Sequence, residues 1–292
     1  MLRAVRMHAD ELPIEIPLVR RLLEEQFPRW AALPVERVPS MGTDNALFLL
    51  GDHKVVRLPR IEWATGGIDK DFRWLPLLAP MLPVAIPEPL ARGRPGAGFP
   101  WDWGVYSWLP GENPGLGSGG AGLALDLAGF VRALREIELE GAPASRRGKG
   151  LATQDERARQ ALFEVPEALG AWEAALALPE WEGPPVWLHA DLLPGNLLVR
   201  GGRLAAVIDF AVAGVGDPAC DLIPAWSVLS GEARQLFRRE AGLDDATWAR
   251  GRGWALSLGL IALPYYRETN PAFAAVARHL VDEVLAEANV RS

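Results

Sequence analysis

The stretch HADLLPGNLLVRGGRLAAVIDF, residues 189–210, limits what this chain can fold into more than any other. It sets His189, Asp191 and Asn196 between the apolar runs VWL and LLV, then returns through LAAVI to Asp209 and Phe210. Two short apolar runs around Arg-Gly-Gly-Arg predict a β-hairpin, because paired glycines accept the positive φ angles of a two-residue turn. With Gly201 and Gly202 at that turn, Arg200 pairs with Arg203 and Asn196 falls opposite Val207. Asp209 is then a diagonal neighbour of Asn196 on the same face. Diagonal neighbours lie about 7–8 Å apart, within reach of each other's side chains.

An amide oxygen and a carboxylate converging at the mouth of a hairpin suit a hard divalent cation. Mg²⁺ takes oxygen ligands and keeps water or phosphate for the rest of its shell. Asp191, in the loop before the hairpin, is left to accept a proton from a hydroxyl nucleophile. The order H-x-D-x₄-N, a hairpin, then D-F is the pattern of a kinase catalytic loop followed by its metal-binding aspartate. The pattern points to phosphoryl transfer with Asp191 as base and Asn196 and Asp209 as Mg²⁺ ligands. His189 reads as a loop-orienting side chain.

Bulk properties narrow the setting. The 292 residues suit one or two domains with a sizeable core, and 49% apolar with 23% charged residues is ordinary for a globular protein. No apolar run is long enough to span a bilayer, and the start carries charges and prolines where a signal peptide needs an apolar stretch. A single cysteine, Cys220, excludes an internal disulfide and reads as a small buried residue, so a cytoplasmic location is expected. Net charge is −7. Residues 1–110 hold 13 acids and 13 bases, so the whole excess lies beyond them. That distribution argues against nucleic acid and favours either a cationic substrate or a plain solvated acidic surface.

Texture changes along the chain. From Val35 to Pro110 short strand-like runs alternate with turn signals, interrupted by one helical stretch over residues 69–78. The segment Pro110–Gly122, PGENPGLGSGGAG, reads as a linker. Helix-forming sequence dominates beyond it. The expected class is α+β: an N-terminal nucleotide-binding lobe over 1–110, a small antiparallel sheet with one helix, and a larger helical lobe over 111–292 with the catalytic loop and substrate pocket.

HADLLPGNLLV and VIDFAVAGVGDPACDL resemble the aminoglycoside phosphotransferase family of bacterial small-molecule kinases, and DNALFLLGDHKVVRLPR, IPEPLARG, VYSWLPGE and YYRETNP extend the resemblance over nearly the whole chain. The resemblance implies a two-lobed protein-kinase-like fold that binds ATP or GTP with Mg²⁺. It implies Asp191 as catalytic base, Asn196 and Asp209 as metal ligands, Arg57 as the strand residue gripping nucleotide phosphates and Asp71 as its acidic partner on the following helix. It sets Tyr106 and Trp108 of VYSWL where the adenine is met. Ser40 and Thr43 of PSMGTD fall in a phosphate-covering loop or an ordinary hairpin turn. Asp217, before Pro218, reads as a helix N-cap, and Asp221 as a brace of the catalytic loop.

Departures from the family pattern are specific. Arg57 replaces lysine, a planar fork for a point charge. Asp71 replaces glutamate, Ala190 the glycine of HGDL, Leu193 a common histidine, and Ala211 the glycine after IDF. None removes a base or a metal ligand. Tyr265, Tyr266, Arg267 and Glu268 either face a substrate pocket or close a helix. Six residues separate Phe210 from Asp217, too few for the activation segment on which a peptide docks, so a small hydroxylated molecule is expected as acceptor and a protein substrate is not. The acceptor is an aminoglycoside-like antibiotic, making this a resistance enzyme, or an ordinary metabolite such as an amino alcohol, sugar or amino acid. The remaining alternative is a non-catalytic nucleotide-binding module.

Overall fold

A computed structural model describes residues 11–39 and 44–290. By its contacts the chain divides into two compact units, Met1–Pro80 with Ala85–Pro110 and Met81–Val84 with Gly111–Ser292. Ser40 and Thr43 lie outside the described residues.

The first unit is a five-stranded antiparallel sheet: β1 (Val35–Arg37), β2 (Asn45–Leu50), β3 (Lys54–Pro59), β4 (Pro89–Gly93) and β5 (Trp103–Ser107), ordered β1-β2-β3-β5-β4. Strand alternation separates its two faces. Ala46, Phe48 and Leu50 of β2 and Val56 and Leu58 of β3 join a buried core. That core includes Val19, Leu22 and Leu23 of helix α1 (Ile16–Gln26). Arg57, between Val56 and Leu58, points away from that core to helix α2 (Gly66–Leu78). Among the described residues the unit therefore holds two α-helices, where the sequence reading expects one. The i, i+3, i+4 spacing of Val19, Leu22 and Leu23 is the helical signal, and it lies upstream of the stretch read as the sheet.

The second unit is mostly helical: α3 (Ala121–Arg135), α4 (Asp155–Ala161), α5 (Leu169–Leu176), α6 (Pro224–Ser227), α7 (Gly231–Ala241), α8 (Asp245–Tyr266) and α9 (Pro271–Val290). The central α8 buries Trp254, Leu256 and Leu260. The Asp244 carboxylate caps its start by accepting from the Thr247 amide at 2.6 Å. Gly259 lets α9 pack closely, since a Cβ there would stand 2.8 Å from the Ala277 carbonyl oxygen.

Two antiparallel two-stranded ladders flank the loop 189–196: β6 (Val186–Leu188) with β9 (Gly214–Gly216), and the hairpin of β7 (Leu197–Arg200) with β8 (Arg203–Val207). Gly201 and Gly202 take φ of +54° and +74°, as the turn requires. The register differs from the simple count. Arg200 does pair with Arg203, but a shift between Leu198 and Val199 brings Leu197, not Asn196, opposite Val207. Asn196 instead accepts from the Ile208 amide at 2.9 Å. The extra residue on β8 is a bulge, which moves the acidic end of the hairpin one position along.

The Gly/Pro-rich segment after Pro110 is part of the second unit and no free linker. Glu112 exchanges backbone hydrogen bonds with Val199 at 3.1 and 2.8 Å, and Gly119 donates to the Val228 carbonyl at 2.8 Å. Asn113 Nδ2 bonds the carbonyls of Pro194, Gly195 and Leu197 at 3.1, 3.2 and 2.9 Å. Glycine and proline content signals only that regular structure is broken; these bonds give the backbone its partners by other means.

Candidate active site

In the first unit the Arg57 guanidinium donates to Asp71 Oδ2, and the Tyr106 hydroxyl donates to the same oxygen at 3.0 Å. The Asp71 side chain is only 1% exposed, so its charge depends on these donors. Register explains the Tyr106 contact. Tyr106 pairs with Val55 and Gly104 with Arg57, so Tyr106 and Arg57 share a sheet face. A Cβ on Gly104 would stand 2.5 Å from the Tyr106 ring, so glycine opposite Arg57 clears the space through which the phenol reaches Asp71. Tyr106 is 2% exposed and bears on Asp71, not on an open surface. Burial beside that carboxylate pushes its hydroxyl well above the usual tyrosine range. Trp108 donates its amide to the His53 carbonyl at 2.8 Å. Lys54 lies over the Trp30 ring, 5.7 Å from its centroid, with partners different from those of Arg57.

In the second unit, β6 delivers the chain to the loop 189–196. His189 is fully buried, and its ring tautomer follows from its partners. The Asp191 amide donates to Nδ1 at 3.2 Å, so Nε2 carries the hydrogen and donates to the Ile208 carbonyl at 3.0 Å. Burial lowers the imidazole pKa, which keeps the ring in this neutral form. Phe210 meets the ring edge-on at 4.6 Å. His189 thus ties the loop 189–196 to the end of the β7–β8 hairpin.

Asp221 braces the loop from behind. Its carboxylate accepts from the amides of His189 at 2.8 Å and Ala190 at 2.6 Å. Burial nevertheless raises its pKa to about 7. Ala190 has φ +64°, the left-handed conformation that glycine adopts freely. Asp217 caps the short 3-10 turn Pro218–Leu222 by accepting from the Ala219 amide at 3.0 Å, and its other oxygen accepts from Arg250 Nε at 2.9 Å. Buried Cys220 donates its thiol to the Arg147 carbonyl at 3.0 Å, and burial pushes that thiol well above its ordinary range.

Asp191 is held on both carboxylate oxygens. Oδ2 accepts from Asn196 Nδ2 at 2.9 Å, and the same amide group donates to the Asp191 carbonyl at 2.9 Å. With both amide hydrogens so placed, Asn196 has its Oδ1 to offer as a donor to a cation. Asp209 has φ +63°, a turned backbone at the hairpin end directly after the Ile208 amide that bonds Asn196. One amide oxygen and one carboxylate, at the mouth of one hairpin, suit Mg²⁺ that draws further ligands from phosphate and water. Among the described residues no cluster of three or more His, Cys, Asp or Glu side chains forms an all-protein metal site.

Arg147 is the site residue the sequence reading missed. Its Nη1 donates to Asp191 Oδ1 and, at 3.1 Å, to the Ala190 carbonyl. The loop that carries it is seated along β9. The Ser145 amide donates to Val215 O at 2.9 Å, the Val215 amide to Pro143 O at 2.8 Å, and the Asp217 amide to Gly148 O at 3.1 Å. The basic run RRGK, residues 146–149, is the only trace of this in the sequence. Tyr266 packs edge-on against Phe273 of α9 at 4.9 Å, while Arg267 pairs with Glu164 and lines a surface pocket with Leu263 and Arg278.

The phosphotransferase enzyme family (APH) matches residues 35–254, and the chain belongs to that family. The fold is the protein-kinase-like one of the aminoglycoside phosphotransferases. A GDP complex of wild-type aminoglycoside 2'-phosphotransferase-IIIa superposes with a TM-score of 0.75 at 20% identity, covering 92% of this chain and 98% of that one. Macrolide 2'-phosphotransferase MphH from Brachybacterium faecium superposes at 0.63 and 22% identity, covering 92% and 98%. A streptomycin–ATP ternary complex of APH(2")-IIa superposes at 0.62 and 17%, covering 92% and 99%. The uncharacterized protein YcbJ of Bacillus subtilis (strain 168) is 27% identical over 190 residues, covering 59% of this chain. The match spans 57% of the length of YcbJ. Among the described residues no helix is long and apolar enough to cross a membrane.

Proposed function

We propose that this protein is a kinase of small molecules, transferring the γ-phosphoryl group of ATP or GTP to a hydroxyl. The observation that carries this reading is the Asp191 carboxylate fixed by Asn196 and Arg147 on a loop braced by Asp221. In the transfer, the acceptor oxygen bonds to the γ-phosphorus as the bond from that phosphorus to the β–γ bridging oxygen breaks. The hydroxyl proton passes to Asp191, and the electron pair of the broken bond leaves on the nucleoside diphosphate. Asn196 and Asp209 would hold Mg²⁺, which neutralises charge on the β and γ oxygens when bound. Arg57, kept in place by Asp71 and Tyr106, is assigned to the nucleotide phosphates, and Trp108 to the adenine side. Residues 1–110 serve the nucleotide and residues 111–292 the base and acceptor. The reading places the protein in the cytoplasm, with a hydroxylated small molecule as its partner and neither protein, nucleic acid nor membrane.

The test is transfer of radiolabelled phosphate from ATP or GTP, with Mg²⁺, to a panel of antibiotics and hydroxylated metabolites. Transfer that requires Asp191 supports the kinase. Nucleotide binding with no transfer to any acceptor supports a non-catalytic module instead.

A further inference from the structure

We infer that Arg147 selects the acceptor: the molecule phosphorylated here carries an anionic group, carboxylate or phosphate, beside the reacting hydroxyl, and is not a polycation. The inference rests on Asp191 being the base, as proposed above.

An acceptor hydroxyl that approaches Asp191 Oδ1 shares that oxygen with Arg147 Nη1, while Oδ2 accepts from Asn196. A carboxylate oxygen has two lone pairs and can accept both. Two hydrogen bonds of ordinary length to one oxygen set their donor atoms about 4.5–5 Å apart. The acceptor oxygen therefore reacts with a guanidinium as its neighbour.

Arg147 is not a wandering surface arginine. Its side chain is 34% exposed, and its backbone is fixed by the hydrogen bonds that seat the loop on β9. The approach is close: a Cβ on Gly216 would stand 2.4 Å from the Gly148 Cα. The overall acidity of residues 111–292 suggests the opposite preference. It is a net sum over a whole unit; Arg147 is ion-paired with Asp191, and when Asp191 takes the hydroxyl proton the guanidinium beside the acceptor loses that counter-charge. An ammonium on the carbon next to the reacting hydroxyl would meet Arg147 at close range. A carboxylate or phosphate there would meet the same guanidinium charge with opposite sign.

The test compares transfer from Mg²⁺-ATP or Mg²⁺-GTP to gluconate and glycerate, to glucose 6-phosphate and glycerol 3-phosphate, to neutral myo-inositol, and to kanamycin. The expected result is transfer to an anionic member, whose two groups separate carboxylate from phosphate. Arg147→Ala should raise KM for that member by about tenfold to a hundredfold, with smaller change for a neutral acceptor, and Arg147→Lys should recover part of it. Nucleotide affinity should stay unchanged. Preference for kanamycin or inositol over every anionic member overturns the inference while the kinase reading stands. So does an unaltered KM for the anion in a folded Arg147→Ala protein. If that variant does not fold, the parent's acceptor ranking alone decides. Transfer to nothing overturns it as well, and Mg²⁺-dependent nucleotide binding by the parent then shows whether the kinase reading falls too.

Discussion

Asp71 Oδ2 is shared by two donors from adjacent strands, the Arg57 guanidinium on β3 and the Tyr106 phenol on β5, the latter at 3.0 Å. Tyr106→Phe removes one hydrogen bond to a buried charge and keeps the ring. It should cost about 1.5–3 kcal/mol of stability. Arg57→Ala removes the cation that faces this buried carboxylate and should cost more, about 3–5 kcal/mol. Chemical denaturation of the two variants checks the order; equal small losses would mean that Asp71 is not charged in the folded protein.

The same pair separates Arg57 from the nearby Lys54. Lys54 sits over Trp30 and does not reach Asp71. Titration calorimetry should find nucleotide affinity weakened by Arg57→Ala and nearly unaltered by Lys54→Ala. Weakening by Lys54→Ala alone would assign the phosphates to the wrong cation.

Ala190 holds φ +64° with no exposed surface. Ala190→Gly relieves about 1 kcal/mol of backbone strain but loses a buried methyl of about 0.8 kcal/mol. The effects offset, and the melting temperature should move little. Ala190→Val adds branching where the left-handed region tolerates it least, and should cost at least about 2 kcal/mol and slow transfer by disturbing Asp191.

Asp221 supplies a pH signature. Its folded pKa of about 7 lies above the ordinary carboxylate range. The folded state therefore binds the extra proton, and the group's contribution to stability falls as pH rises from about 4 to about 7. Asp221→Asn cannot titrate and loses one acceptor for the His189 and Ala190 amides. The variant should be less stable than the parent at acid pH, with the deficit narrowing toward neutrality. Neighbouring His189, with its pKa lowered by burial, works in the opposite direction below about 6.5 and is common to both proteins. A deficit that widens from pH 4 to 7 would contradict this account of Asp221.

The loop and hairpin were legible because their pattern is local: Asp191 and Asn196 directly precede the hairpin and Asp209 follows it, and their order is set by a single turn. Even there the count placed Asn196 one residue from its true register, because a bulge in LAAVI leaves no residue-type signal. Arg57 and Asp71 were read from the resemblance, and strand alternation added only that Arg57 and Lys54 point to opposite faces. Tyr106 was assigned by position along the chain, but its phenol is directed by Gly104 on its own strand, a spatial cause. Arg147 was not legible at all, since it reaches Asp191 from 44 positions away through a loop held by backbone hydrogen bonds. The segment after Pro110 misled for a related reason: its glycines mark irregular backbone, and irregular backbone can be as firmly bonded as a strand.

The account turns on the Asp191 carboxylate taking the acceptor's proton. The most direct measurement is single-turnover phosphoryl transfer by Asp191→Ala at saturating Mg²⁺-nucleotide and acceptor, with nucleotide affinity measured in parallel. The rate should fall by a factor of about 10² or more while nucleotide affinity barely moves, because the base acts only on the proton in flight. Near-normal transfer by the variant would contradict it.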